Sequence, residues 1–170
     1  MKKFTILFFI IAFSCLKISA QYRDYFSNIG QLGGRVTKTG YGIQADMMTT
    51  TKSGFINRYS LSYDMGEIGI AKTNYQTIKA EFIMMSIMAS REQRYFNLGW
   101  GGFVSHETVR NNLLDMSENR ISPGICAMLE FEIFFKYWGF YIVGEQRYRP
   151  ISLIGDLEWR AGLGVKYLFK

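Results

Sequence analysis

Only two cysteines, two prolines and one histidine occur in the 170-residue chain, and past its first twenty residues no apolar run approaches the length of a membrane helix. Each shortage closes a class of answer. Cys15 falls within the first twenty residues, which leaves Cys126 without a partner for an intramolecular disulfide, so an exported form must be held together by its fold. The lone His106 and the isolated Cys126 do not form the His/Cys spacing of a zinc site. The longest later apolar stretch, 82–89, is broken by Ser86 and is the size of a strand, against the roughly 20 residues a spanning helix needs. A formal charge of +6 comes without any Lys/Arg cluster, so no direct contact with nucleic acid is expected. If this chain enters a membrane it must do so as a closed barrel, because open strands leave backbone groups unsatisfied in lipid.

The N-terminus carries an address. Lys2 and Lys3 precede a run over 4–13 that is apolar except for Thr5, and small residues follow up to Ala20. That layout is a secretory signal peptide over residues 1–20, with cleavage before Gln21. Cys15, after Ala12, Phe13 and Ser14, offers lipoprotein processing as the alternative, although Phe13 fits that motif poorly. Cleavage removes three lysines and no acid, leaving a mature charge of +3. Residues 21–28 (QYRDYFSN) show no period and are expected to form a periplasmic tail. Residues 29–170 are expected to form a single domain.

Within that domain the dominant period is two. Alternation of apolar and polar residues predicts strands over 29–38, 41–50, 55–65, 75–89, 95–107, 124–136, 140–148 and 159–169. Short turns at 51–54, 90–94 and 137–139 alternate with mostly longer loops at 66–74, 108–123 and 149–158. The polar faces collect seven acids (Asp46, Asp64, Glu81, Glu107, Glu130, Glu132, Glu145) and six bases (Arg35, Arg58, Lys79, Arg147, Arg160, Lys166). The opposite faces carry almost no charge, which is required when each charge facing mid-membrane lipid costs about 2–4 kcal/mol. Aromatics gather at both strand ends: Phe55, Tyr95, Phe96, Tyr137, Trp138, Tyr167 and Phe169 beside the short turns, and Tyr41, Tyr63, Tyr75, Tyr148 and Trp159 opposite. The predicted fold is all-β, an eight-stranded antiparallel outer-membrane β-barrel in contact with outer-membrane lipid. A soluble sandwich is the alternative, whereas a lipocalin-like barrel would invert the pattern, with charge outside and an apolar cavity.

Few residues suggest chemistry. His106 stands in S-H-E-T; barrel deacylases of lipid A pair His and Ser as H-x-S, but here Thr108 occupies the second position and Ser105 points to the other face. His106 is therefore expected at the outer rim. Glu130 and Glu132 share a face and could pair for glycoside or metal chemistry, but cations at Arg147 and Arg160 favour a lumen ion network. Cys126 reads as an interior filler, and Met84, Met85 and Met88 as packing or lipid-facing residues and not a copper site. Glycines 30, 33, 34, 99, 101 and 102 lie inside strands and open no helix, which removes phosphate-loop readings. No catalytic, cofactor-binding or metal-binding residue is assigned.

The chain closes with R-A-G-L-G-V-K-Y-L-F, which resembles the terminal strand of outer-membrane barrels and implies recognition by the barrel-assembly machinery through Tyr167 and Phe169. Together with N-L-G-W-G-G-F-V-S-H-E-T-V-R-N and the spacing to G-I-C-A-M-L-E-F-E, it is similar to the TraO family of conjugative-transposon transfer proteins, mostly over 75–169. That family tends to carry Tyr where this chain has His106. The resemblance implies an outer-membrane structural or assembly component of a conjugative DNA-transfer apparatus, with other proteins of that apparatus as partners and no enzymatic residues; a general small outer-membrane barrel of the adhesin or porin-like kind, outside conjugation, is the alternative.

Overall fold

The computed structural model describes residues 28–51, 55–69, 73–111 and 116–169. The expected signal peptide, the tail up to residue 27 and part of the predicted 51–54 turn lie outside the described residues. Eight strands follow one another: β1 Asn28–Thr37, β2 Gly40–Thr50, β3 Phe55–Ile68, β4 Thr73–Arg91, β5 Arg94–Asn111, β6 Met116–Phe135, β7 Trp138–Tyr148 and β8 Leu157–Phe169. Each pairs antiparallel with its neighbour, and β1 pairs with β8 from Asn28↔Phe169 to Thr37↔Arg160, closing the barrel. Closure leaves no sheet edge along the ring, and it gives the terminal strand its partner. Asn28, expected at the end of the tail, is already the first residue of β1.

Why the strands lie as they do follows from their alternation. In β8, Leu163, Val165, Tyr167 and Phe169 face outward and are well exposed, whereas Arg160 and Lys166 are buried. Every strand repeats that segregation, for example Leu61 against Ser62, Ile78 against Lys79, Leu129 against Glu130 and Tyr148 against Arg147. Among the described residues, the first charges on the outer face appear only at the strand ends, at Glu67 and Arg110 toward one end and around Arg94 at the other. An uncharged apolar band encircled by such a ring is a surface made for hydrocarbon.

The wall is not of even height. β1, β2 and β7 have 10 or 11 residues, the span of a tilted strand through a membrane, whereas β4, β5 and β6 have 19, 18 and 20. The surplus rises at the end opposite the chain termini, and it corrects two expectations. The loop expected over 66–74 is mostly ladder, pairing from Gly66↔Tyr75 to Ile68↔Thr73. The loop expected over 108–123 is mostly strand, pairing from Asn111↔Met116 to Val104↔Pro123. Polar residues on both faces erased the alternation there, so the stretch read as loop although its backbone continues the sheet. At the other end, short turns join the strands, one of them at Glu92 and Gln93, both with positive φ (49° and 68°), which matches the twist of a tight hairpin.

Inside, the end near the short turns is apolar. Ile29, Met48, Ile56, Met85, Met128 and Phe134 form a buried cluster, with Leu168 and Tyr95 packed against it. Tyr95 stands edge-on to Phe134, their ring centres 6.2 Å apart. Two glycines fit this crowding. A methyl at Gly99 would lie 2.9 Å from the side chains of both Met85 and Met128, and one at Gly33 would collide with the Tyr141 hydroxyl.

Candidate functional site

Above the apolar floor, the lumen is filled by charge. Among the described residues fifteen charged side chains are buried: Arg35, Arg58, Lys79, Arg147, Arg149, Arg160 and Lys166 against Asp46, Asp64, Glu81, Glu107, Glu130, Glu132, Glu145 and Glu158. They sort into two ion-paired groups. The lower joins Arg58 to Asp46 (2.7 Å) and Glu130 (3.2 Å), and Lys166 to Glu130 and to Glu132 (2.5 Å). Asn97 Nδ2 donates to both glutamates, at 3.3 and 3.1 Å. This group touches the floor directly, since Arg58 lies 3.4 Å from Met128 Sδ and Lys166 3.9 Å from Met48 Sδ.

The upper group is charge-balanced, five bases on five acids. Glu145 meets Arg35 (2.5 Å), Arg147 (2.9 Å) and Arg160 (3.8 Å). Arg147 also pairs with Glu81, Arg160 with Asp64, and Lys79 with Asp64 at 2.5 Å. Glu158, 3.6 Å from Lys79 and 3.5 Å from Arg149, carries the chain of pairs to the mouth. Ion pairs taken from water this completely contribute little net stability, but removing one partner strands the others. Each strand supplies them at alternate positions, so the network follows from the same two-residue period that keeps charge out of lipid.

The mouth is closed by the segment between β7 and β8. Glu107 is the anchor: Ser152 Oγ donates to its two oxygens at 3.0 and 2.9 Å, the Leu153 N–H donates at 2.8 Å and Arg149 at 3.1 Å. Ser105 Oγ adds a contact at 3.3 Å, and Ser122 Oγ donates to the Ile151 carbonyl at 3.1 Å. This tuck was not legible beforehand, because Arg149 and Glu158 fall in a stretch without period; both belong to the lumen network. Glu158 does carry a signal for the network, though not for the tuck: with Arg160 it continues the inward parity of Lys166.

The singled-out residues fall as follows. His106 is exposed on the outer face, while Ser105 and Glu107 on either side of it are buried, so His106 shares no site with Ser105. Thr108 donates to Asn119 Oδ1 at 2.7 Å on the protruding wall. Glu130 and Glu132 are brought together around Lys166 within the ion network. Cys126 is buried and free. Met85 faces the floor and Met84 the outside. Of the two aromatic belts, Phe55, Phe96, Trp138, Tyr167 and Phe169 at the short-turn end, and Tyr41, Tyr148 and Trp159 opposite, are exposed on the outer face. Tyr75 and Tyr95 depart from the belts. Tyr75 is 2% exposed and lies in hydrogen-bond contact with Thr37 (3.3 Å) and Thr39 (3.2 Å), and Tyr95 packs inward on Phe134. Both are in phase with inward neighbours, Thr77 and Asn97, and phase decides the face.

No protein-family model and no curated protein matches the chain. Solved structures do. Neisserial surface protein A superposes with a TM-score of 0.68 at 8% identity, over 85% of this chain and 97% of that one. The N-terminal β-barrel domain of Pseudomonas aeruginosa OprF gives 0.58 at 15% identity, over 85% and 98%. Ail, the attachment invasion locus protein of Yersinia pestis, gives 0.54 at 11%, over 85% and 97%. The chain therefore has the fold of the eight-stranded outer-membrane barrels, as its sequence alternation predicts.

Proposed function

We propose that the chain is a non-enzymatic structural barrel of the outer membrane, exported by its N-terminal signal and working through its rims, not its lumen. The observation that carries this is the segregation of charge: among the described residues, fifteen charged groups lie buried inside an apolar, uncharged outer band. A lumen filled by paired side chains leaves no passage for a polymer such as DNA through a single barrel. The resemblance to the TraO family supplies the finer reading, a structural or assembly component of a conjugative DNA-transfer apparatus that meets the other apparatus proteins at the membrane surface. Deleting the gene tests it. DNA transfer from the deleted donor should fall by orders of magnitude and return with the intact gene, and unaffected transfer would sink the conjugative role.

A second reading, a surface barrel outside conjugation, is favoured by the likeness to Neisserial surface protein A and Ail. Both readings require the membrane location, which has its own test. The folded chain in outer-membrane fractions should migrate differently on gels before and after boiling; recovery in the soluble periplasm would overturn both.

A further inference from the structure

The tall wall ends in an open strand edge, and we propose that this edge is a docking site for an extended segment of another protein, added as a further strand beside β6. The inference goes beyond the function above and needs only that the wall stand clear of the membrane. β6 pairs with β5 from Met116 to Ile133, but its pairing with β7 begins only at Ile125↔Tyr148. The chain leaves β7 there and tucks into the mouth, reaching back to β6 at Ser122. Among the described residues, Met116–Ile121 therefore have a strand neighbour on one side alone, and all six are exposed, Met116 by 65% and Ile121 by 63%.

Parity identifies the free groups. The tight turn at Lys136 and Tyr137 makes Phe135 and Trp138 a hydrogen-bonded pair, so odd-numbered residues of β6 aim their N–H and C=O at β7 and even-numbered ones at β5. The Phe134 N–H, which donates to the Gln93 carbonyl at 2.9 Å, agrees. So does Pro123, whose missing N–H costs the β5 ladder nothing. Ser117, Asn119 and Ile121 thus aim their backbone groups into the space above β7, where no strand of the described residues meets them. Only another extended backbone matches such a row, as in β-strand addition.

The side chains narrow the partner. Glu118 and Arg120 share the lumen side of this edge, 2.8 Å apart and partly exposed. An antiparallel segment that places a base opposite Glu118 and an acid opposite Arg120, two residues apart, completes a cross-strand charge ladder. The sequence 116–122 (MSENRIS) itself meets that pattern when reversed about Asn119. A second barrel in the same membrane cannot use it, because the required two-fold axis lies in the membrane plane and would invert one barrel. A free peptide has no such restriction.

That peptide, fluorescently labelled, is the probe, and the refolded full chain in nanodiscs is the target. Saturable binding is expected in fluorescence anisotropy. Asn119→Pro in the barrel removes one edge N–H without breaking a hydrogen bond to β5, and should weaken binding by about tenfold or more. Asn119→Ala, which removes only the side chain, should bind within about twofold of the parent. Unchanged heat-dependent gel migration shows that both variants fold. Absence of binding to the parent, equal binding by Asn119→Pro, or equal loss in both variants would overturn the proposal.

Discussion

The charged middle of the lumen and the apolar floor beneath it are made by the same strands with the same inward parity, yet they hold the barrel in different ways. In the middle, contacts are polar and interdependent: Glu145 alone meets three guanidinium groups. At the floor, Ile29, Met48, Ile56, Met85 and Phe134 meet by shape, with no partner dedicated to another. The middle fixes the register of each strand against its neighbour, because a slip of one residue would turn its charges into lipid. The floor closes one end of the lumen without specifying much.

The largest effect expected from breaking this contrast is at Glu145. Replacing it by Leu leaves Arg35, Arg147 and Arg160 to share the remaining carboxylates, and should cost about 3–5 kcal/mol, the range for stranding a buried charge. Urea unfolding in lipid vesicles measures it. Raising the salt should not rescue the variant, since these pairs lie beyond the reach of screening ions. A loss under about 1 kcal/mol would mean that the lumen is hydrated enough to solvate the orphaned cations. At the floor, Phe134→Ala opens a cavity against Tyr95 and Gly139 and should cost about 3 kcal/mol, with Phe134→Leu recovering most of it. If the alanine variant were as stable as the parent, the floor would be filler and the contrast would collapse.

The same contrast explains what the sequence reveals. Charged residues could be placed inside from pattern alone, because lipid forbids them outside: Arg35, Arg58, Lys79 and Lys166 are all buried, as their alternation predicts. The floor was harder. Ile56 and Met85 look no different from the lipid-facing Leu61 and Met84, and only counting phase along the strand separates them. Phase likewise corrects Tyr75 and Tyr95, which aromatic character alone assigns to the interface. Where both faces are polar, over 108–121, even the strand is lost from view. The tuck of the mouth segment onto Glu107 is a tertiary event with no local signal.

That tuck supports a smaller prediction. Glu107→Ala removes the acceptor for Ser152, Leu153 and Arg149, while Glu158 still holds Arg149. Hydrogen bonds to a charged group are worth about 1.5–3 kcal/mol each, and 1.4 kcal/mol is a tenfold change in population. Losing even one of these bonds should therefore open the mouth at least about tenfold more often. Cys126, buried on the lumen side of β6, is a built-in reporter: its alkylation by a small maleimide should accelerate accordingly. An unchanged rate would show that Ser122 and the packing of the segment hold the mouth without Glu107.

The smallest effect is expected one residue away. His106 precedes Glu107 in sequence, but alternation sends the two to opposite faces, the histidine toward the upper rim beside Ile78 and Ile121 and the glutamate into the lumen. A hydrolytic site needs a base and a nucleophile within hydrogen-bond reach, and Ser105 lies across the wall from the imidazole. His106→Ala should thus change stability by less than about 0.5 kcal/mol, as exposed substitutions do. His106→Tyr should be tolerated equally, since an aromatic with a polar tip suits the rim. Lipid A from cells expressing the parent or the alanine variant should give the same mass spectrum. A missing acyl chain that returns with His106→Ala would identify a hydrolase, and would require this histidine to find a nucleophile on the outer face of the barrel.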